Sequence, residues 1–176
     1  MWEIEVNTTV LGSALTYDYD EASRLKSVTD GSYSASYSYV ANSPLIDHID
    51  FKQNTTLRMT TTSVPDNLNR LKSISSVAQT AGGAYTISAH AYRYNDANQR
   101  DTATLRDGAY WSYGYDALGQ VTSAKKRWVD NTWVPGEQFE YGHDDIGNRT
   151  STKVGGDSGG GRLRAASYSP NEIGRA

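Results

Sequence analysis

The chain has 176 residues, a formal net charge of -3, 13 Tyr, 4 Trp, 16 Gly and no Cys, with a mean hydropathy of -0.65. The length suits one domain with a modest core. The absence of cysteine excludes disulfides, thiolate metal sites and thiol nucleophiles, and the acidic balance excludes a nucleic-acid footprint.

At the N-terminus, Met1-Trp2-Glu3-Ile4-Glu5 lacks the basic and apolar regions of a signal peptide. It has the pattern of a strand interior, which suggests a piece of a longer protein. No stretch is apolar enough to span a bilayer as a helix.

A motif then appears and recurs: an aromatic pair spaced by two, then Asp or Asn, a short turn, then Arg, Gln or Asn. The first clear copy is Tyr17-Asp18-Tyr19-Asp20-Glu21-Ala22-Ser23-Arg24-Leu25. Strand-like alternation follows, with Tyr33, Ala35, Tyr37 and Tyr39 on one face and serines on the other. A weaker copy, Tyr37-Ser38-Tyr39, keeps the aromatic pair and is followed by Asn42, Ser43 and Pro44. Another, Pro65-Asp66-Asn67-Leu68-Asn69-Arg70-Leu71, keeps the turn but not the tyrosines.

The next clear copies begin at Tyr92-Arg93-Tyr94-Asn95 and at Tyr113-Gly114-Tyr115-Asp116, the latter reaching Gly119 and Gln120. A further copy, Tyr141-Gly142-His143-Asp144-Asp145-Ile146-Gly147-Asn148-Arg149, has His143 in the second aromatic slot. Tyr168-Ser169-Pro170-Asn171 starts a last one. The copies recur every ~20 to 29 residues, as in a repeat array.

Asp30-Gly31 and Asp107-Gly108 predict two-residue hairpin turns with both central residues at positive φ. The unit is therefore strand, turn, strand, motif turn, and about a dozen strands are expected with no helix. A single hairpin is marginal in water, so only the array is stable.

The Asp or Asn of the motif is suited to accept from N–H groups two residues on. Gly119 and Gly147 fall where positive φ is needed. The Arg or Gln can reach carbonyls or a neighbouring Asp. The expected organisation is a hairpin array over 1–154, a glycine-rich loop or linker over 155–161, and a truncated repeat over 162–176.

Catalytic chemistry finds little support. Asp157-Ser158-Gly159 with His90 faintly resembles serine-protease segments, but too little chain follows Ser158. His48, His90 and His143 share no metal-ligand spacing. No enzyme activity, cofactor or metal is expected. Exposed aromatics could instead stack on carbohydrate, and Trp111, Trp128 and Trp133 are the candidates.

The copies resemble the YD repeat of the Rhs and teneurin family, a tyrosine pair, Asp, a turn ending in Gly, then Arg-Leu. Tyr19-Asp20 with Arg24-Leu25, and Tyr115-Asp116 with Gly119, carry the resemblance most closely; Tyr94-Asn95 and Asp144 with Gly147-Asn148-Arg149 are looser. It extends from about residue 14 onward.

The resemblance implies an all-β array of antiparallel hairpins forming part of a curling sheet, open barrel or shell. It also implies a secreted or cell-surface setting, with the shell enclosing a toxin or mediating contact. The partners it implies are other segments of a larger Rhs-like chain or a neighbouring chain, joined through sheet edges.

Overall fold

The computed structural model describes residues 15–169. It is all-β, with no helix among those residues. The strands are β1 (Thr16–Tyr19), β2 (Leu25–Asp30), β3 (Tyr33–Tyr39), β4 (Ile46–Gln53), β5 (Thr56–Pro65), β6 (Leu71–Thr80), β7 (Gly83–Tyr94), β8 (Arg100–Leu105), β9 (Tyr110–Tyr115), β10 (Val121–Arg127), β11 (Trp133–His143), β12 (Arg149–Gly155) and β13 (Leu163–Ser167). They form one sheet in strict chain order, β1 to β13. The expected hairpin array is therefore what folds. The Trp2 segment and the repeat beyond Ser169 lie outside the described residues.

The chain divides into two interleaved compact units. The first holds residues up to Ser63 together with Ser76–Ile87; the second holds Val64–Ser75 and everything from Ser88 onward.

Alternation in sequence becomes two chemically different faces, because successive strand side chains point to opposite sides. In the first unit Val28, Ala35, Phe51 and Met59 pair in a row across β2 to β5, while Ser27, Ser36, Asp50 and Thr60 form the row on the opposite face. In the second unit Tyr113, Ala124, Phe139 and Val154 line one face; Ser123, Glu140 and Lys153 line the other. Trp111 stacks on Phe139 with centroids 6.0 Å apart.

The described strands form a single sheet, and few of its apolar side chains are buried. Among the described residues the buried apolar side chains are only Ala78, Ala103, Ala109 and Val134. Most domains bury a sheet face against another layer. Here the aromatic side chains stay half exposed, and lateral contacts between hairpins carry much of the order.

Two turns differ from the sequence expectation. Asp30 pairs with Tyr33, so the central residues are Gly31 and Ser32, and only Gly31 has positive φ, at 55°. A positive φ at the first position alone is the II′ arrangement. The loop after Leu105 holds three residues, Arg106 to Gly108, closed by the Leu105 N–H to the Ala109 carbonyl at 2.8 Å. Gly108 takes the left-handed position at φ 84°, the three-residue loop with a bulge.

The glycine-rich segment is also a turn. Gly155 ends β12, and Asp157 Oδ1 accepts from the N–H groups of Gly159 and Gly161 at 3.0 and 2.9 Å. Residues 157–161 thus form a capped connection between β12 and β13.

Candidate functional site: a ladder of capped turns

The motif residues build one turn over and over. At Asp66 the backbone N–H donates to the Arg70 carbonyl at 2.8 Å, and the Asn69 N–H donates to the Asp66 carbonyl at 3.0 Å. Asp66 Oδ1 accepts from the N–H groups of Leu68 and Arg70, both at 2.9 Å. Oδ2 accepts from Arg70 Nε at 2.7 Å. One carboxylate therefore satisfies two loop N–H groups and anchors a guanidinium.

Asp20 with Arg24 repeats this geometry. So do Asp116 with Gln120 and Asp144 with Asn148, and Asn95 keeps the two backbone bonds while its Nδ2 donates to Gln99 Oε1 at 2.8 Å. The fourth residue of each turn is left-handed: Ser23, Asn69, Asn98, Gly119 and Gly147 have φ of 59°, 61°, 61°, 83° and 89°. Asn tolerates that conformation better than most non-Gly residues. Ser23 is held there by the donation of its N–H to the Asp20 carbonyl at 2.9 Å.

Three of these turns hold their carboxyls below the ordinary value. Backbone donation from Arg24, with its side-chain bond and charge, holds the Asp20 carboxyl below its ordinary value against the opposing effect of burial. For Asp66 burial would raise it, but the Arg70 bonds and charge outweigh burial and the net shift is downward. The Asn148 amide and loop N–H groups lower Asp144.

Each turn is also stitched to its neighbour. The second tyrosine of a motif donates to the carbonyl at the start of the previous repeat's return strand: Tyr39 to Leu25 at 2.7 Å, Tyr94 to Leu71 at 2.8 Å, Tyr115 to Arg100 at 2.7 Å. The same rings receive guanidiniums, with Arg24 4.3 Å over Tyr39 and Arg70 4.4 Å over Tyr94. Arg100 and Arg149 lie 4.0 and 4.7 Å over the first aromatic of their motifs, Tyr92 and Tyr141. Each such contact adds ~0.5–1 kcal/mol.

A third link runs forward. Arg24 Nη1 donates to the Ser43 carbonyl at 2.8 Å, and Arg70 Nη1 donates to Asn98 Oδ1 at 2.6 Å. Where the reaching residue is Gln, the next turn carries Gly: a Cβ on Gly119 would meet Gln99 Nε2 at 3.1 Å, and one on Gly147 would meet Gln120 Oε1 at 3.3 Å. Arg24 and Arg70 thus hold the next turn by hydrogen bonds, while Gln99 and Gln120 lie against its glycine. The sequence pattern singled out the slot, but not its forward target.

A bulge follows each second aromatic. Tyr94 faces Arg100 while Arg93 faces Thr102, leaving Asp101 extra. Lys26, Asp47, Thr122 and Thr150 are extra in the same way. The extra residue meets the middle of the Tyr-x-Tyr. Lys26 pairs with Asp18 at 3.1 Å, and Arg93 with Asp101 at 3.0 Å with the charges exchanged. Where the middle residue is Gly114 or Gly142, the bulge carries Thr122 or Thr150, whose hydroxyl would lie 3.3 Å from an added Cβ. Bulges increase local twist.

His143 breaks the stitch. It occupies a tyrosine slot without a hydroxyl, and its Nδ1 is buried without a partner. Tyr17 and Tyr19, in the first described repeat, are exposed.

The tryptophans form no common platform. Trp111 is stacked on Phe139 and Tyr113, Arg127 covers Trp133 at 3.5 Å, and Trp128 is exposed at the β10–β11 turn. Ser158 lies in the β12–β13 turn and His90 on β7, stacked on Tyr92. Five strand spacings separate β7 from β12, roughly 24 Å, so no Ser–His pair forms. The described residues hold no group of three or more His, Cys, Asp or Glu able to bind a metal.

The sequence did not flag Gln138. This side chain is fully buried; its Nε2 donates to the Asp157 carbonyl at 2.8 Å, and its Oε1 has no partner. Gly136 and Gly156 beside it both have positive φ, and glycine spacing was the available signal.

No protein-family model matches the sequence, and no curated protein matches it. Solved structures do. The crystal structure of TcdB2-TccC3-Cdc42 aligns with 80% of this chain at 14% identity and a TM-score of 0.40. That of TcdB2-TccC3 without its hypervariable C-terminal region aligns with 93% at 10% identity and 0.39. The chain spans 9% and 11% of the length of those chains.

Proposed function

We propose that this chain is a non-enzymatic structural module, a stretch of stitched hairpins serving as part of a secreted or surface Rhs-like shell that encloses a toxin or mediates contact. The inter-repeat stitch carries this reading. Arg70 closes its own turn on Asp66 and holds the next turn at Asn98, while Tyr94 reaches back to Leu71. Such residues maintain a wall, and their polar groups are consumed in doing so.

The half-exposed aromatic face gives further support. A sheet face rich in Tyr, Trp and Phe is stable when something occupies it, and in a shell that occupant is cargo or another part of the wall.

A photo-crosslinking residue at Phe139, in the full-length gene product in its own cells, tests the proposal. Crosslinks to other segments of the same polypeptide or its assembly partners are expected. A face that captures nothing would overturn the shell reading. The purified protein is also expected to resist an active-site serine probe; labelling at Ser158 would overturn its non-enzymatic part.

The second reading is a module binding carbohydrate or another protein through exposed aromatics. Trp128, exposed at a turn, is the observation in its favour. Saturable binding to one sugar class on a glycan array, lost in Trp128→Ala, would establish it.

A further inference from the structure

Hairpin tips are usually polar, yet several here carry large aliphatics. In the second unit the third residue of three capped turns is Leu68, Leu118 or Ile146, exposed at 64%, 71% and 84%. Their N–H groups are tied to the turn carboxylates at 2.9, 3.0 and 3.1 Å. The backbone is locked, so these side chains are presented on rigid mounts, which lowers the entropy lost on docking.

All three tips, with Ala97 between the first two, end the strands on one rim of this unit, because the strands follow chain order. Tips two strands apart are spaced by ~9.5 Å. The opposite rim carries the turns after β8, β10 and β12. There Val129 is exposed at 78% and Trp128 at 45%. Trp128 and Val129 share the single turn between β10 and β11, which falls midway in strand order between the Leu118 and Ile146 tips.

The outward charges also differ. On the first rim Asp96 and Asp145 are exposed and make no ion pair or hydrogen bond among the described residues. On the second rim the carboxylates turn inward: Asp107 accepts from the Ala109 N–H, Asp130 from Thr132, and Asp157 from Gly159 and Gly161. Arg106 and Arg162 are exposed there, Arg162 paired with Asp157 at 3.5 Å.

We propose that a second copy of this chain docks head to tail on this unit, Leu118 and Ile146 of one copy seating against Trp128 and Val129 of the next. The exposed carboxylates of the first rim face the guanidiniums of the second. The contact is heterologous, so it propagates beyond a dimer unless it closes into a ring. Free carboxylates beside the aliphatic tips disfavour an anionic membrane as the occupant.

Sedimentation of the whole chain at rising concentration tests this, beside Leu118→Lys/Ile146→Lys and Val129→Lys. The wild type is expected to form species larger than monomer, and each variant alone to stay monomeric. An equimolar mixture of the two variants is expected to give a dimer and nothing larger, since one intact rim of each remains.

Three results overturn the proposal. The wild type stays monomeric up to about 1 mM; the variants associate as the wild type does; or Val129→Lys alone still dimerises, which means like rims meet. Binding to anionic vesicles that requires Leu118 and Ile146, without self-association, overturns it in favour of a membrane. Circular dichroism checks that each variant keeps its β signal, and Ser replaces Lys at the same positions if one does not.

Discussion

The Tyr94 hydroxyl donates to the Leu71 carbonyl at 2.8 Å, joining two repeats whose strands are far apart in sequence. Tyr94→Phe keeps the ring under Arg70 and removes this bond alone. The expected loss is about 1 kcal/mol, measured as a shift in the urea midpoint. No shift would show that the hydroxyl gains as much from water.

His143 gives the reverse case. In the other repeats the tyrosine's acceptor lies five residues after the preceding turn Asp or Asn, and from Asp116 that residue is Val121. His143→Tyr is expected to supply the missing donor, relieve the buried unpartnered Nδ1 and gain about 1 kcal/mol. A lower midpoint would mean that the slot cannot take a phenol.

Asn95 shows what the cap contributes without charge. Its Oδ1 accepts from the N–H groups of Ala97 and Gln99 at 3.0 and 2.9 Å. Asn95→Ala leaves both loop donors to water and is expected to cost about 1–2 kcal/mol, while Asn95→Asp costs little. Equal loss in both variants would assign the effect to something other than the accepted bonds.

Gly156 and Gly136 separate strain from collision. Both have positive φ, 87° and 83°. An added Cβ at Gly136 meets nothing within 4 Å, whereas at Gly156 it collides with the amide of the buried Gln138. Gly136→Ala is expected to cost about 1 kcal/mol and Gly156→Ala about 3 kcal/mol. Similar costs would mean that Gln138 moves aside freely.

Acid should loosen the turns. The carboxyls of Asp20, Asp66 and Asp144 are lowered in the fold. Their contribution is therefore present above the unfolded value, near 3.9, and lost as pH falls through the lowered folded values. The urea midpoint should fall as pH drops below about 4. Asp66→Asn, which can still cap as Asn95 does, should show a smaller fall. An unchanged fall in that variant would remove Asp66 as a source.

Periodicity alone made strands and turns legible. Alternating Tyr and Ser from Tyr33 to Tyr39 admits only an extended chain with two faces, and the spacing of Asp116 to Gly119 admits a tight loop with a left-handed residue. These constraints act over a few residues, so sequence carries them. The turn at Asp30 keeps two central residues but places them at Gly31 and Ser32, and the one at Asp107 holds three residues, because hairpin register, not dipeptide identity, selects the central residues.

What the sequence by itself determined, then, is the unit: a strand pair closed by a capped turn. The tertiary arrangement decided what each unit touches. Arg70 has several acceptors within its length, and only pairing β6 beside β7 and β7 beside β8 brings Asn98 and the Tyr94 ring to it. Neighbouring strands set Phe139 beside Trp111 and Arg127 over Trp133. Contacts of that kind depend on register between strands, which no local pattern encodes, since a shift of one residue reverses which face every side chain occupies.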